Sequence, residues 1–132
     1  MIIDKFYIYN WKVTILYECT CEDIDYIIRI LKDINCPNKY IKEALHNLQT
    51  CNLNIGLTYS NTNLQSSVIV VNKTSSFAQL INTIAHEYFH LICHISKILE
   101  IEDEEELAYL NGNLNMRSYN FIKKLEKEVG SE

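Results

Sequence analysis

An apolar stripe constrains this chain most strongly: Phe77, Leu80, Ile81, Ile84, Tyr88, Leu91, Ile95 and Ile98 recur every three or four residues. That period belongs to an α-helix with one face in a core, not to a strand. Ser76, with Gln79 three residues on, has capping-box spacing and marks the helix start. His86-Glu87-Tyr88-Phe89-His90 lies inside this helix, so the backbone holds its side chains in a rigid relation.

The elements around it follow from similar patterns. Residues 11–17 (W-K-V-T-I-L-Y) are β-branched and aromatic and predict a strand. Thr20 and Asp23 have capping-box spacing, and Ile24, Ile27, Ile28, Leu31 and Ile34 form the stripe of the helix that follows. Pro37 suits the first turn of a second helix, whose buried face would be Ile41, Ala44, Leu45 and Leu48. Residues 53–59 and 67–72 predict two strands joined as a hairpin through the polar stretch Ser60-Asn61-Thr62-Asn63. Val68-Ile69-Val70-Val71 is apolar on both faces, as in a strand covered on both sides. A last helix starts near Asp103, with Glu106 in capping-box spacing. It runs toward Lys127, with a weak point at Asn111-Gly112-Asn113. The expected order is β-α-α-β-β-α-α, an α+β fold in a single domain spanning residues 1–132.

Composition narrows the partners. The chain has 132 residues, room for one modest core. The formal net charge is −5 and no basic stripe occurs, which argues against a nucleic-acid partner. No apolar run is long enough to span a bilayer, and the first residues lack a basic segment leading into an apolar one, so no membrane association and a cytoplasmic location are expected. Cys19, Cys21, Cys36, Cys51 and Cys93 are odd in number and contain no C-x-x-C pair, so the expectation is free thiols rather than a disulfide framework or a second metal site.

His86-Glu87-Tyr88-Phe89-His90 reads H-E-x-x-H. Histidines at i and i+4 lie on one helix face, where both imidazoles can grip one metal ion. Glu87 between them is placed to take a proton from a water on that metal. The chemistry expected is hydrolysis of a peptide bond with one Zn2+ and Glu87 as general base, acting on a protein or peptide substrate. Two histidines leave a third protein ligand to be found. His94 continues the stripe but lies eight residues from His86, about 12 Å along the axis at ~1.5 Å per residue, too far for the same ion. It is expected at the cleft rim or as support behind a ligand. His46, on the second helix, has no evident role.

The acidic run at 102–106 offers Glu104, Glu105 and Glu106. Glu105 shares a helix face with Ala108, Tyr109 and Gly112, a face small enough to approach the motif helix. Glu105 is therefore the expected third ligand, with Glu106, the partner of the Asp103 cap, as the alternative. No motif marks the group that would stabilise an oxyanion; Tyr109 and Tyr119 are candidates.

H-E-Y-F-H followed by E-E-L-A-Y resembles the small zincin metallopeptidases with a glutamate ligand, among them the ImmA/IrrE group, whose third ligand lies in an E-x-x-A motif on the next helix. The chain is also similar to short zincin-like proteins of phages and mobile elements. The matching stretches are Gly56-Leu57-Thr58-Tyr59-Ser60, N-T-I-A-H-E at 82–87 and E-x-x-A-Y-L-x-G at 105–112. The resemblance covers roughly residues 55–114. It implies that His86, His90 and Glu105 bind zinc and that Glu87 is the base. It also implies a minimal zincin-like fold: a small mixed sheet against the motif helix, whose outer antiparallel strand holds an extended peptide, here the strand at 53–59, with its hairpin partner at 67–72 as the alternative. No helix-turn-helix accompanies the domain. The small size also fits a catalytically inactive zincin-fold protein that binds a partner or plays a structural role.

Overall fold

The computed structural model describes residues 1–130, with side chains to residue 126. Two strands open the chain, β1 (Ile2–Ile8) and β2 (Trp11–Cys19). After a 3-10 turn at Cys21–Asp23 come α1 (Ile24–Asp33) and α2 (Asn38–Gln49), the hairpin β3 (Gly56–Asn61) and β4 (Ser66–Asn72), and then α3 (Phe77–Leu99) and α4 (Glu104–Gly130). The strands form one mixed sheet in the order β1-β2-β4-β3. β2 and β4 pair in parallel at its centre, while β1 and β3 are antiparallel edges. The fold is α+β, as the sequence predicts. No helix is long and apolar enough to cross a membrane among the described residues.

The sheet separates two apolar clusters. Trp11, Val13, Ile15 and Tyr17 of β2, with Ile69 and Val71 of β4, face α3 and α4. Leu16 and Cys19, with Val68 and Val70, face α1 and α2. This explains why β4 is apolar at successive positions: both of its faces meet helices.

β1 is an element that the sequence patterns did not reveal. Ile2, Phe6 and Ile8 pack into the cluster under α3 and α4, but Asp4 interrupts that face. Asp4 is buried and receives a bidentate pair of hydrogen bonds from Arg117 of α4, at 2.9 and 3.1 Å. The β1–β2 turn is equally unmarked. It consists of Tyr9 and Asn10, both with left-handed backbones (φ 50° and 71°), as a two-residue hairpin loop requires, yet contains no glycine.

Other boundaries moved or held for local reasons. Thr20 and Asp23 form the reciprocal capping box. Ser76 accepts from the Gln79 backbone N–H at 3.1 Å. The expected strand at 53–59 lies instead at Gly56–Asn61, the hairpin turning after Asn61. α4 runs unbroken through Gly112, so the weak point at 111–113 does not divide it. Five free thiols are not what the structure shows. Cys19, Cys36 and Cys93 are free, whereas Cys21 and Cys51 are bonded, their Cα atoms 5.5 Å apart. The 3-10 turn after β2 and the connection after α2 meet at the same end of the sheet, which brings residues 30 apart in sequence together.

Candidate metal centre and its cleft

α3 supplies the motif from the middle of a 23-residue helix, held by the Ser76 cap at one end and by Glu100 in the left-handed region (φ 56°) at the other. Its buried face (Ile84, Tyr88, Leu91, Ile95) packs on the sheet. His86 and His90 lie to the exposed side. Their Nε2 atoms converge to 3.2 Å, with the rings edge to face at 77°. Two nitrogens each ~2.0–2.1 Å from a tetrahedral ion sit about 3.3 Å apart. The pair thus has the spacing that one zinc ion requires of two of its ligands.

Glu87 points the other way, beneath the edge strand, and is only 4 % exposed. Its Oε1 accepts a hydrogen bond from Thr58 Oγ1 at 2.9 Å, and the same hydroxyl lies 3.3 Å from the Glu87 carbonyl. Its Oε2 lies 4.0 Å from His86 Nε2, so one carboxylate oxygen is anchored to β3 while the other lies on the His86 side. Gly56 covers this carboxylate: a Cβ there would fall 2.7 Å from Glu87 Cγ and 2.9 Å from both Cδ and Oε2. Only a residue without a side chain lets β3 pass so close. A cleft of ≈ 250 Å³ opens here, lined by Asn54, Gly56, Asn82, Thr83, His86 and Glu87 among others. Larger depressions, of ≈ 520, ≈ 600 and ≈ 410 Å³, lie elsewhere and include none of the motif residues.

β3 and α3 run side by side in the same direction. Thr83 reaches the Asn54 carbonyl, Glu87 meets Thr58, and His94 Nδ1 lies 2.7 Å from Ser60 Oγ. The even positions of β3 (Gly56, Thr58, Ser60) therefore face α3. The odd ones face α1 and α2, with Tyr59 stacked near Tyr40 and Asn61 donating to the Ile34 carbonyl. Small and hydroxylated residues at alternate positions were the available signal for Gly56, Thr58 and Ser60.

The other candidates are placed differently. His94 is half-buried and does not line this cleft, and burial, with the neighbouring His90 as a lesser cause, holds its pKa below the usual histidine value. Glu105 is exposed, and its backbone N–H takes the Asp103 carboxylate at 3.0 Å. Glu106 does not close a box with Asp103; its Oε1 accepts from the Tyr9 hydroxyl at 2.9 Å, tying the first turn of α4 to the β1–β2 hairpin. Among the described residues no three His, Cys, Asp or Glu side chains converge at one point, so Glu105 stands apart from the His86–His90 pair. Tyr109 is 70 % exposed and Tyr119 is 44 % exposed. His46 lies in the last turn of α2, on the other side of the sheet.

The chain matches no protein-family model, no curated protein and no solved structure.

Proposed function

We propose that this protein is a zinc-dependent metallopeptidase of minimal zincin-like form, acting on a protein or peptide in the cytoplasm. The observation that carries the reading is the 3.2 Å approach of His86 Nε2 and His90 Nε2 beside the buried, anchored carboxylate of Glu87. Its resemblance to the ImmA/IrrE group and to phage zincins points the same way. Zinc bound by His86, His90 and, on the sequence reading, Glu105 would supply a Lewis acid that lowers the pKa of water toward ~7 and polarises a carbonyl.

The chain's own groups then have distinct tasks. Thr58 holds Glu87 Oε1 and leaves Oε2 toward His86. Glu87 takes a proton from the attacking water on Oε2 and passes it to the departing amine nitrogen, so that one water and one peptide bond become an acid and an amine. Gly56 and Thr58 exclude solvent from one side of that carboxylate. The free edge of β3 offers backbone groups to an extended peptide.

The exposure of Tyr109 and the separation of Glu105 from the histidine pair favour a second reading, a zincin-fold binding or structural protein of a phage or mobile element that keeps the metal for stability. Metal analysis of tag-free protein, followed by Glu87→Gln, tests both. The peptidase reading expects about one zinc per chain, lost in His86→Ala, and cleavage of unfolded protein that Glu87→Gln abolishes while keeping zinc. Zinc without cleavage or hydroxamate labelling, and a large fall in melting temperature on chelation, would transfer the protein to the second reading. No zinc uptake would remove both.

A further inference from the structure

A chain of hydrogen bonds runs from the core to His94 on α3. Trp11 Nε1 meets Ser67 Oγ at 2.8 Å, Ser67 Oγ meets Ser60 Oγ at 2.6 Å, and Ser60 Oγ meets His94 Nδ1 at 2.7 Å. Its direction follows from the chemistry of its ends. An indole N–H can only donate, so Ser67 accepts from Trp11. Ser67 is fully buried, and Ser60 Oγ is the acceptor within reach of its hydrogen. Ser60, having accepted, has its own hydrogen free for His94 Nδ1. A hydroxyl oxygen can also accept twice, so the Ser67 hydrogen alone does not fix this last link; the ordering that uses every hydrogen within the chain has Ser60 donating to His94 Nδ1. In that ordering the ring proton sits on Nε2.

That Nε2 has no hydrogen-bond partner among the described residues. No buried side-chain nitrogen or oxygen lacks one there, so Nε2 is open to solvent. The arrangement is not a nucleophile–base pair, because no carboxylate orients the imidazole and Ser60 Oγ already accepts from Ser67. With its proton on Nε2, the ring is a donor beside β3, two turns of α3 beyond His86.

Distance decides what the donor can reach. Four residues of helix separate His90 from His94, about 6 Å of axis. A point midway between His86 and His90 is then roughly 9 Å from His94. This is too far for a group on the reacting carbonyl. It equals about three residues of an extended chain at ~3.3 Å each. Because β3 and α3 run in the same direction, a peptide along the free edge of β3 would pass both points.

Resting on the peptidase reading, we infer that His94 is a substrate-positioning residue: the Trp11–Ser67–Ser60 chain holds it as an Nε2–H donor to a main-chain carbonyl of the bound peptide, two to three residues from the bond cut.

Two measurements test this. Long-range 1H–15N spectra of histidine-labelled protein should show His94 as the Nε2–H tautomer alone, and Ser60→Ala should abolish that single form. An Nδ1–H tautomer or a mixture in the unaltered protein overturns the inference. The second uses zinc-loaded protein and three probes: acetohydroxamate, tri-alanine hydroxamate, and a hydroxamate-acetyl-Ala-Ala-Ala amide that extends the other way. Zinc-dependent binding of acetohydroxamate to the unaltered protein supports the metal reading; its absence overturns that reading and this inference with it. With that binding in hand, His94→Leu should weaken one of the two longer probes by about 2–12-fold, the range for one hydrogen bond. His94→Gln, which keeps an N–H donor, should recover part of it. Equal binding of both longer probes to the unaltered protein and to His94→Leu overturns the His94 assignment alone.

Discussion

Gly56→Ala, measured with and without the Glu87 side chain, tests the closest approach in the site. A Cβ at position 56 would sit 2.7 Å from Glu87 Cγ and 2.9 Å from Cδ and Oε2, against an ordinary carbon–carbon contact of about 3.5–4.0 Å. Either the carboxylate leaves Thr58 or β3 moves outward by about 1 Å, and overpacking of this kind costs about 1–3 kcal/mol. The three nearest atoms all belong to Glu87. In a Glu87→Ala background those three contacts are gone, and the same substitution is expected to stabilise the strand by about 0.5–1 kcal/mol, the ordinary advantage of Ala over Gly. The coupling in the double-mutant cycle should then be about 1.5–4 kcal/mol, above the ~0.5 kcal/mol within which independent sites add. Urea unfolding of the four proteins, followed by circular dichroism, provides the numbers and needs no substrate. Equal costs for Gly56→Ala in the two backgrounds would refute the contact, and with it the reading that β3 holds the Glu87 carboxylate in place.

Thr58→Val removes the hydroxyl that holds a buried carboxylate and should lower stability by about 1.5–3 kcal/mol in urea unfolding, while Thr58→Ser should cost less. Arg117→Met leaves the buried Asp4 carboxylate without its bidentate partner. Because the Arg117 side chain is 45 % exposed, a loss of about 3 kcal/mol is expected, the low end for breaking such a pair. Asp4→Leu combined with Arg117→Met should recover most of it in thermal melts. Burial, with Asp23 as a lesser cause, pushes the Cys19 thiol up to about 12, and burial raises Cys36 to about 11. The folded chain therefore keeps both protonated until the pH approaches those values. At about pH 8, iodoacetamide should label exposed Cys93 well before either, as read by peptide mass mapping. Early labelling of Cys19 would contradict its place in the core.

How much of this was legible depends on the range of the interaction concerned. The motif helix, its Ser76 cap and the Thr20–Asp23 capping box rest on contacts three or four residues apart, so their sequence pattern is their physics. The convergence of His86 and His90 is of the same local kind. The α+β class and the two-sided burial of β4 followed from the period of the apolar residues. β1 was hidden because Asp4 sits on its apolar face, and that interruption makes sense only with Arg117 opposite, 113 residues away. The Tyr9–Asn10 turn carried no glycine to announce it.

Helical spacing alone determined that His86 and His90 share one face with Glu87 between them, because i and i+4 side chains are neighbours on any α-helix. What the carboxylate and the cleft became was decided by packing. Thr58 lies 29 residues from Glu87 and Ser60 lies 34 from His94, and they meet only because β3 takes the sheet edge beside α3. The pairing of Cys21 with Cys51 and of Glu106 with Tyr9 is likewise a matter of which ends the sheet brings together. Such contacts depend on where whole elements settle against a shared core, and no local period in the chain encodes that.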